Sequence, residues 1–303
     1  MKDRSIYIFE WSPRTHIDPF HTHDHLEIGY CLSGTGTFYF GEKRYTAEPG
    51  DVFVVNNMER HAASSDPRNP SNYFFIYFDA MIIEHTDPEL LLPFVYFPQQ
   101  FQNRIAGSLP VAARIGALFR QIWEEDRQKQ CGYNGMMRSK IIEICALLLR
   151  HYGEFTPLAE RSRAIASYYR IKPALDYMKE RFREPLTLSD AARVLSLSPS
   201  RTRHLFKEKL GQGFKEYLLQ LRVNEAKRLL AATDLPIADI MHASGFQSQA
   251  PFYRSFKQWV GAAPNEYRKN AAKLALFDNN PVVLGRTFEQ GPAYNDIAAV
   301  EPQ

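Results

Sequence analysis

The sequence is poor in cysteine and has neither a long apolar run nor a leader-like opening. Cys31, Cys131 and Cys145 form no CxxC pair and are too few for a disulfide frame. No stretch approaches the eighteen or so apolar residues of a membrane span. From Met1 to Tyr7 the chain is polar and charged, where a secretory signal needs an apolar core. P-loop, GxGxxG, GxSxG and HExxH patterns are missing as well, which removes the enzyme classes they mark. These absences predict a reduced, cytoplasmic protein with no membrane partner and no enzymatic activity. Material for packed cores is plentiful: 45% of 303 residues are hydrophobic against 23% charged, which excludes wholesale disorder and suits two domains of ordinary size.

The net charge of +3 conceals an asymmetry. Residues 171–273 sum to +8, the last thirty to −3 and the first 170 to −2. A single basic region points to a polyanionic partner for that region alone, or to a solvated basic face.

Residues 1–80 read as short strands: Leu26–Leu32, Thr37–Phe40, a strand from Arg44, Val52–Val55 and Tyr73–Phe78, separated by Gly, Pro and Asn. That pattern predicts an antiparallel sandwich or small barrel. Prolines 88, 93, 98 and 110 break up the next thirty residues. The period then becomes helical over Val111–Lys129 and Met136–Tyr152. Ile115, Leu118, Phe119 and Ile122 line one stripe; Ile141, Ile144, Cys145 and Leu148 line the other. Such a helix pair could cap the barrel or join two copies of the chain, and pairing is the reading preferred here. Gly153–Arg163 reads as a linker.

Beyond Ile171 the chain repeats itself. Leu186 and Asp190 recur 49 residues on as Leu235 and Asp239. Phe206-Lys207, Gly211 and Glu216-Tyr217 recur 50 residues on as Phe256-Lys257, Gly261 and Glu266-Tyr267. In the first copy Thr187 and Asp190 form an acidic capping box for a short helix, Ser196-Leu197 makes a break, and Ser198-Pro199 opens a second helix closed by Gly211. The second copy runs from Pro236 to Ser244, turns at Gly245-Phe246, and resumes behind Ser248 until Gly261. Each copy is a helix-turn-helix.

The second helix of such a unit fits the major groove and offers its N-terminal residues to base edges. With Leu205 and Phe206 inward, Ser200, Arg201, Arg203, His204 and Lys207 remain on the outer surface. Gln249, Ala250, Pro251, Tyr253, Arg254 and Lys257 are their counterparts, fewer in charge. Between the copies, Phe214–Ala232 has no breaker and predicts a rod of about 27 Å at 1.5 Å per residue. Two units, a rigid spacer and a local charge of +8 together predict a double-stranded DNA reader.

Residues 171–270 also resemble the DNA-binding domain of the AraC/XylS family of transcription regulators. Pro185-Leu-Thr-Leu188, Leu197-Ser-Pro-Ser200, His204-Leu-Phe-Lys207, Gly245-Phe246 and Phe256-Lys257 with Gly261, Pro264 and Glu266-Tyr-Arg268 carry the resemblance. Departures are Ala191 at a usual Leu position, Ser196 at a usual small or Gly turn position, and Pro251 and Tyr253 in the second reading helix. The resemblance implies two subdomains joined by a long helix and acting on promoter DNA alongside RNA polymerase, as activator or repressor.

Five of nine histidines fall before residue 62, and His21, His23, His25 and Glu27 alternate on what would be one face of a strand. With His61 this resembles a cupin. In metal-binding cupins the matching positions, here His21, His23, Glu27 and His61, ligate a divalent metal, and imidazole with one carboxylate suits Zn, Fe, Ni or Mn. Pro19 to Glu27 with Leu32-Ser-Gly-Thr-Gly36 and Pro49-Gly-Asp51 resembles the sensor cupins of AraC-type regulators more closely. There the pocket takes a small effector, often a sugar, without metal. That resemblance implies effector contacts from His21, His23, His25, Glu27, Tyr30 and His61, with Phe38 and Tyr39 available to stack, and no cofactor.

The expectation is thus an α+β multidomain chain: an N-terminal β-barrel or jelly-roll cupin (1–110), a helical connector and candidate homodimer interface (111–163), an all-α domain of two helix-turn-helix subdomains (168–273), and an extension (274–303). Its expected function is a DNA-binding transcription regulator that senses a small molecule. A metal-dependent cupin enzyme and a regulator that ignores effectors are the alternatives.

Overall fold

Alternating apolar residues in the first third of the chain set the register of two antiparallel sheets. The structure is a computed structural model that describes residues 6–17, 20, 25–55, 59–95, 101–154 and 157–274. Strands β1 (Ile6–Trp11), β2 (Leu26–Ser33), β3 (Gly36–Phe40), β4 (Lys43–Ala47), β5 (Val52–Val55), β6 (His61–Ser65), β7 (Asn72–Phe78) and β8 (Arg104–Ile105) pair in the orders β1-β7-β2-β5-β8 and β4-β3-β6. Period two divides the side chains of β2: Leu26, Ile28 and Tyr30 face outward from the sandwich, while Cys31 joins Phe38, Phe40, Phe53, Tyr73, Phe75 and Tyr77 between the sheets.

The outward face of the larger sheet is covered by helices. After α1 (Met81–Glu84), a 3-10 turn (Pro88–Leu91) and α2 (Leu92–Val95) come α3 (Pro110–Gln128) and α4 (Tyr133–Gly153). Ile115, Leu118, Phe119 and Ile122 of α3, and Ile141, Ile144, Cys145 and Leu148 of α4, all lie in the core on that sheet. The preferred reading of these stripes as a contact between chains is therefore corrected. Each such side chain gains about 1.5–3 kcal/mol by leaving water, and the sheet inside its own chain supplies the apolar partner.

The expected linker is also shorter than its composition suggested. Helix α5 (Leu158–Arg181) starts inside it and runs past residue 168. Its first half packs Ile165 and Tyr168 on the sandwich core, while Ile171, Ala174, Leu175 and Met178 belong to the core of the next domain. Tyr168 Oη donates to Glu84 at 3.3 Å, and Lys172 lies 3.9 Å from the same carboxylate. One helix thus belongs to both domains, although Pro173 withdraws one of its internal N–H donors.

The repeat folds as read. Helices α6 (Leu188–Val194) and α7 (Pro199–Leu210) form one module, and α9 (Ile237–Ala243) and α10 (Gln249–Val260) the other. Helix α8 (Phe214–Ala232) joins them, and α11 (Pro264–Leu274) closes the second module. Thr187 and Asp190 cap α6 reciprocally, and Ser198 accepts from the Arg201 N–H at 3.3 Å. Ser248 takes the N-cap position of α10 in an extended conformation but makes no side-chain cap bond. Each module has its own core, built on Phe206, Phe214 and Tyr217 in the first and on Phe246, Phe252 and Phe256 in the second. The expected extension, from residue 275 onward, lies outside the described residues.

Candidate functional site

In α7 the buried residues are Thr202, Leu205 and Phe206; in α10 they are Phe252, Ser255, Phe256 and Val260. Helical periodicity then forces the intervening positions outward. All of Ser200, Arg201, Arg203, His204 and Lys207, and all of Gln249, Ala250, Tyr253, Arg254 and Lys257, are exposed. Among the described residues no ion pair holds Arg201, Arg203, Lys207, Arg254 or Lys257. His204 Nε2 stands 3.7 Å from Glu208. The folded chain leaves both sets of donors open to an outside partner.

The second set of candidates meets at one end of the sandwich. Glu27 is paired across β2 with Val55 and Tyr77, whose side chains lie between the sheets. His61, on the opposite sheet, brings Nε2 to 3.6 Å from the Glu27 carboxylate, and both residues are buried. The His25 ring lies 6.3 Å from that of Tyr77. His21 and His23 lie outside the described residues.

Tyr30 is a correction. Three residues from Glu27, it points to the other face of the sheet, where its ring lies 5.7 Å from Phe119 and under the Arg120 guanidinium. A Cβ added at Gly116 would stand 2.5 Å from that ring, so α3 is seated directly on it. Tyr30 is core, and it cannot share a pocket with Glu27. Of the two aromatics expected to stack, Phe38 is sealed between the sheets 4.4 Å from Phe53, and Tyr39 faces outward beside Phe20 and Arg44.

A polar chain that the sequence gave no reason to assemble runs outward from His61. Its Nδ1 lies 3.0 Å from the Glu59 carbonyl. The Glu59 carboxylate takes Lys43 at 2.6 Å and the Asn103 amide at 2.7 Å, and Asn103 donates also to Val54. Burial lowers the Lys43 pKa, with Glu59 opposing. Next along, the Arg60 guanidinium lies 5.6 Å from the Trp259 ring at the end of α10. A cavity of about 680 Å³ opens there between Lys43, Glu59 and Arg60 on one side and Lys207, Gln212 and Trp259 on the other.

Burial pushes the His61 imidazole toward neutrality, but Glu27 and the Glu59 carbonyl outweigh it, and its pKa ends above the ordinary value. A raised folded-state pKa gives stability that is complete below about pH 6.5 and is lost as pH rises through the folded value. The stability gap between wild type and His61→Gln in urea unfolding is accordingly expected to narrow as pH rises above about 6.5 and through the raised folded-state value. A gap independent of pH would mean that this pair does not titrate.

Among the described residues no group of three or more His, Cys, Asp or Glu is arranged to hold a metal. Of the four positions that the cupin resemblance offered, Glu27 and His61 stand together, and His21 and His23 lie outside the described residues. Burial, with Asp51 adding to it, raises the Cys31 thiol to about 12, and burial pushes Cys145 well up, so neither supplies a ready thiolate. Among the described residues no helix is long and apolar enough to cross a membrane.

A β-sandwich joined through a shared helix to twin helix-turn-helix modules defines a class. Residues 5–143 match the family model of the AraC-like ligand binding domain, and residues 191–270 match that of a helix-turn-helix domain. The chain belongs to the AraC family of helix-turn-helix transcription regulators. It is 25% identical over 244 residues to the HTH-type transcriptional regulator SAS0078 of Staphylococcus aureus MSSA476, covering 80% of this chain but 31% of that one. With the regulator YijO of Escherichia coli K12 it shares 35% identity over 130 residues, 42% of this chain and 44% of the other. The chain thus spans about a third of the Staphylococcus relative's length. Its fold is similar to that of ToxT from Vibrio cholerae O395, with a TM-score of 0.61 at 13% identity over 88% of this chain and 98% of ToxT.

Proposed function

We propose that this chain is an effector-responsive regulator that binds promoter DNA through α7 and α10 and senses a small molecule at the Glu27–His61 end of its sandwich. The observation that carries the reading is the reading surface itself. Ten side chains suited to base or backbone contact are all exposed, on two helices joined by a 19-residue spacer. At 1.5 Å per residue the spacer is about 28 Å long, comparable to the roughly 34 Å between successive major-groove faces.

The effector is proposed to carry hydroxyl groups, as a carbohydrate does. Facing each other, the Glu27 carboxylate can accept from one hydroxyl and the protonated His61 imidazole can donate to the next, while the surrounding aromatics exclude water. A structure of ToxT with a TM-score of 0.55 is described as bound to an unsaturated fatty acid, so an amphipathic acid is the competing effector class. Occupancy would be felt at the DNA-binding modules by two routes: the residues 59–61 that connect His61 to the Arg60–Trp259 contact, and α5, which is packed into both domains. The reading includes a homodimer, now expected on the solvent side of α3 and α4 near the exposed Met136, and contact with RNA polymerase at the promoter.

The test is direct. Full-length protein mixed with sheared DNA from its own source at about 50 mM salt is expected to retain a discrete set of promoter fragments, released steeply as salt rises. Retention of no fragment overturns the reading. Where fragments are retained, simple sugars and long-chain carboxylic acids added in turn identify the effector class, and Glu27→Gln is expected to blunt the sugar response without changing basal retention.

A further inference from the structure

The two helices that bracket the first reading surface share a second concavity. Helix α5 turns one stripe, Arg163, Ser167 and Arg170, toward Arg201, His204 and Glu208 of α7, across a space of about 310 Å³. Spacings of three, four and seven residues place each trio on a single helix face. Five basic side chains border the space, counting Lys209, against the one carboxylate of Glu208. That carboxylate is already engaged by Lys209 at 2.6 Å and by His204 at 3.7 Å, and its pKa lies below the usual range, with Lys209 as the main cause.

Arg163, Arg170 and Arg201 have no ion pair and no side-chain hydrogen bond among the described residues. Three guanidinium groups left together around one hollow repel each other unless an anion joins them. Their planar forks match phosphate oxygens two at a time, and the half-buried Ser167 hydroxyl adds a neutral donor.

We infer that the concavity between α5 and α7 binds phosphate, and that its occupant is the DNA backbone flanking the first reading helix. This rests on the regulator reading and extends it. Arg201 and His204 belong to both surfaces, so a duplex seated on Ser200, Arg203 and Lys207 brings a neighbouring backbone strand over the hollow. Helix α5 then supplies a contact that neither helix-turn-helix contains. Because Ile165 and Tyr168 hold that part of α5 on the sensor core, the contact exists only while sensor and reading module keep their present arrangement. The sensor therefore takes part in holding DNA.

The experiment uses the full chain carrying Arg163→Ala and Arg170→Ala together. Both side chains are exposed and unpaired, so the thermal midpoint should not change. A retained promoter duplex and a scrambled duplex of equal length are titrated from about 50 to 200 mM salt. The expected result is about tenfold weaker binding to both, with the slope of log K against log salt reduced by about 2 and the preference between duplexes unchanged. Lysine at both positions should restore the slope. Unchanged affinity and slope overturn the inference while leaving the regulator reading intact; wild-type protein that ignores all DNA overturns both. If pyrophosphate raises the thermal midpoint of wild type but not of the variant while the DNA slope is unaltered, the occupant is a free phosphate compound and the backbone assignment fails.

Discussion

Gly245→Ala is expected to destabilise the second helix-turn-helix by about 2–5 kcal/mol. Gly245 has a φ of +88°, a conformation that costs a side-chain-bearing residue about 1–2 kcal/mol. An added Cβ would also stand 2.8 Å from the Arg183 Cα and 2.8 Å from the Phe182 carbonyl oxygen. Both are backbone atoms, so relief requires moving the end of α5, and overpacking of this kind costs about 1–3 kcal/mol more. That end is fastened: Arg222 donates to the Phe182 and Glu184 carbonyls at 2.8 and 2.7 Å, and Arg183 reaches the Ala243 carbonyl at 3.1 Å and Glu225 at 2.6 Å. The repeat provides its own control. Ser196 occupies the matching turn of the first copy with a φ of +53°. Ser196→Gly relieves left-handed strain but gives up chain entropy, for a net gain of about 0.5 kcal/mol. Urea unfolding followed by far-UV circular dichroism measures both. If the two variants shift the midpoint by similar amounts in one direction, the packing argument at Gly245 fails.

The parts legible in the sequence are those fixed by short-range rules. Phe214–Ala232 was bounded to the residue, because the glycine before it and the Thr-Asp-Leu-Pro after it permit nothing longer. The capping box at Thr187 and the glycines closing α7 and α10 are likewise local chemistry. Partners distant in sequence were not legible. β6 is His-Ala-Ala-Ser-Ser, small and polar, and becomes a strand only because β3 pairs with it. Glu59 and Asn103 are 44 residues apart and meet because β8 adds to the edge of β5. Tyr30 shows a related limit: it shares one short strand with Glu27, and strand parity alone sends the two side chains to opposite faces. The helix-pair stripes were correct as stripes, but periodicity names an apolar face without naming what covers it.

The same limit applied to the boundary between the domains. Composition marked residues 153–163 as a linker, yet the chain becomes helical at Leu158 and stays so through Arg181. A flexible tether would let the reading modules move independently of the sensor. A helix with Ile165 and Tyr168 in one core and Ile171 and Met178 in the other instead makes any shift at the sensor a displacement of α6 and α7. Regulation in such a molecule is expected to alter the spacing or tilt of the two reading helices rather than their folding.

Arg203→Ala is expected to cost about 1–3 kcal/mol in binding to a retained promoter fragment, a loss of about 5- to 150-fold, with only a few-fold loss on scrambled DNA. Arg203 is exposed in the N-terminal half of α7, on the stripe that includes Ser200 and Lys207, and no carboxylate among the described residues competes for it. A guanidinium so placed can donate twice to guanine O6 and N7, which no other base pair presents in that pattern. Arg163 and Arg170 make the opposite prediction, an equal loss on every sequence, because phosphate is the same everywhere along the duplex. The second module offers a contrast: Ala250 and Tyr253 stand where the first has Ser200 and Arg203, and Gln249 precedes them at the position of Pro199, so substitutions there should relax preference for A·T pairs and thymine methyl groups more than for guanine. Competition titrations with single-base operator variants resolve the cases. If Arg203→Ala weakens specific and scrambled duplexes to the same degree, Arg203 touches backbone and the base-reading role passes to another residue of α7.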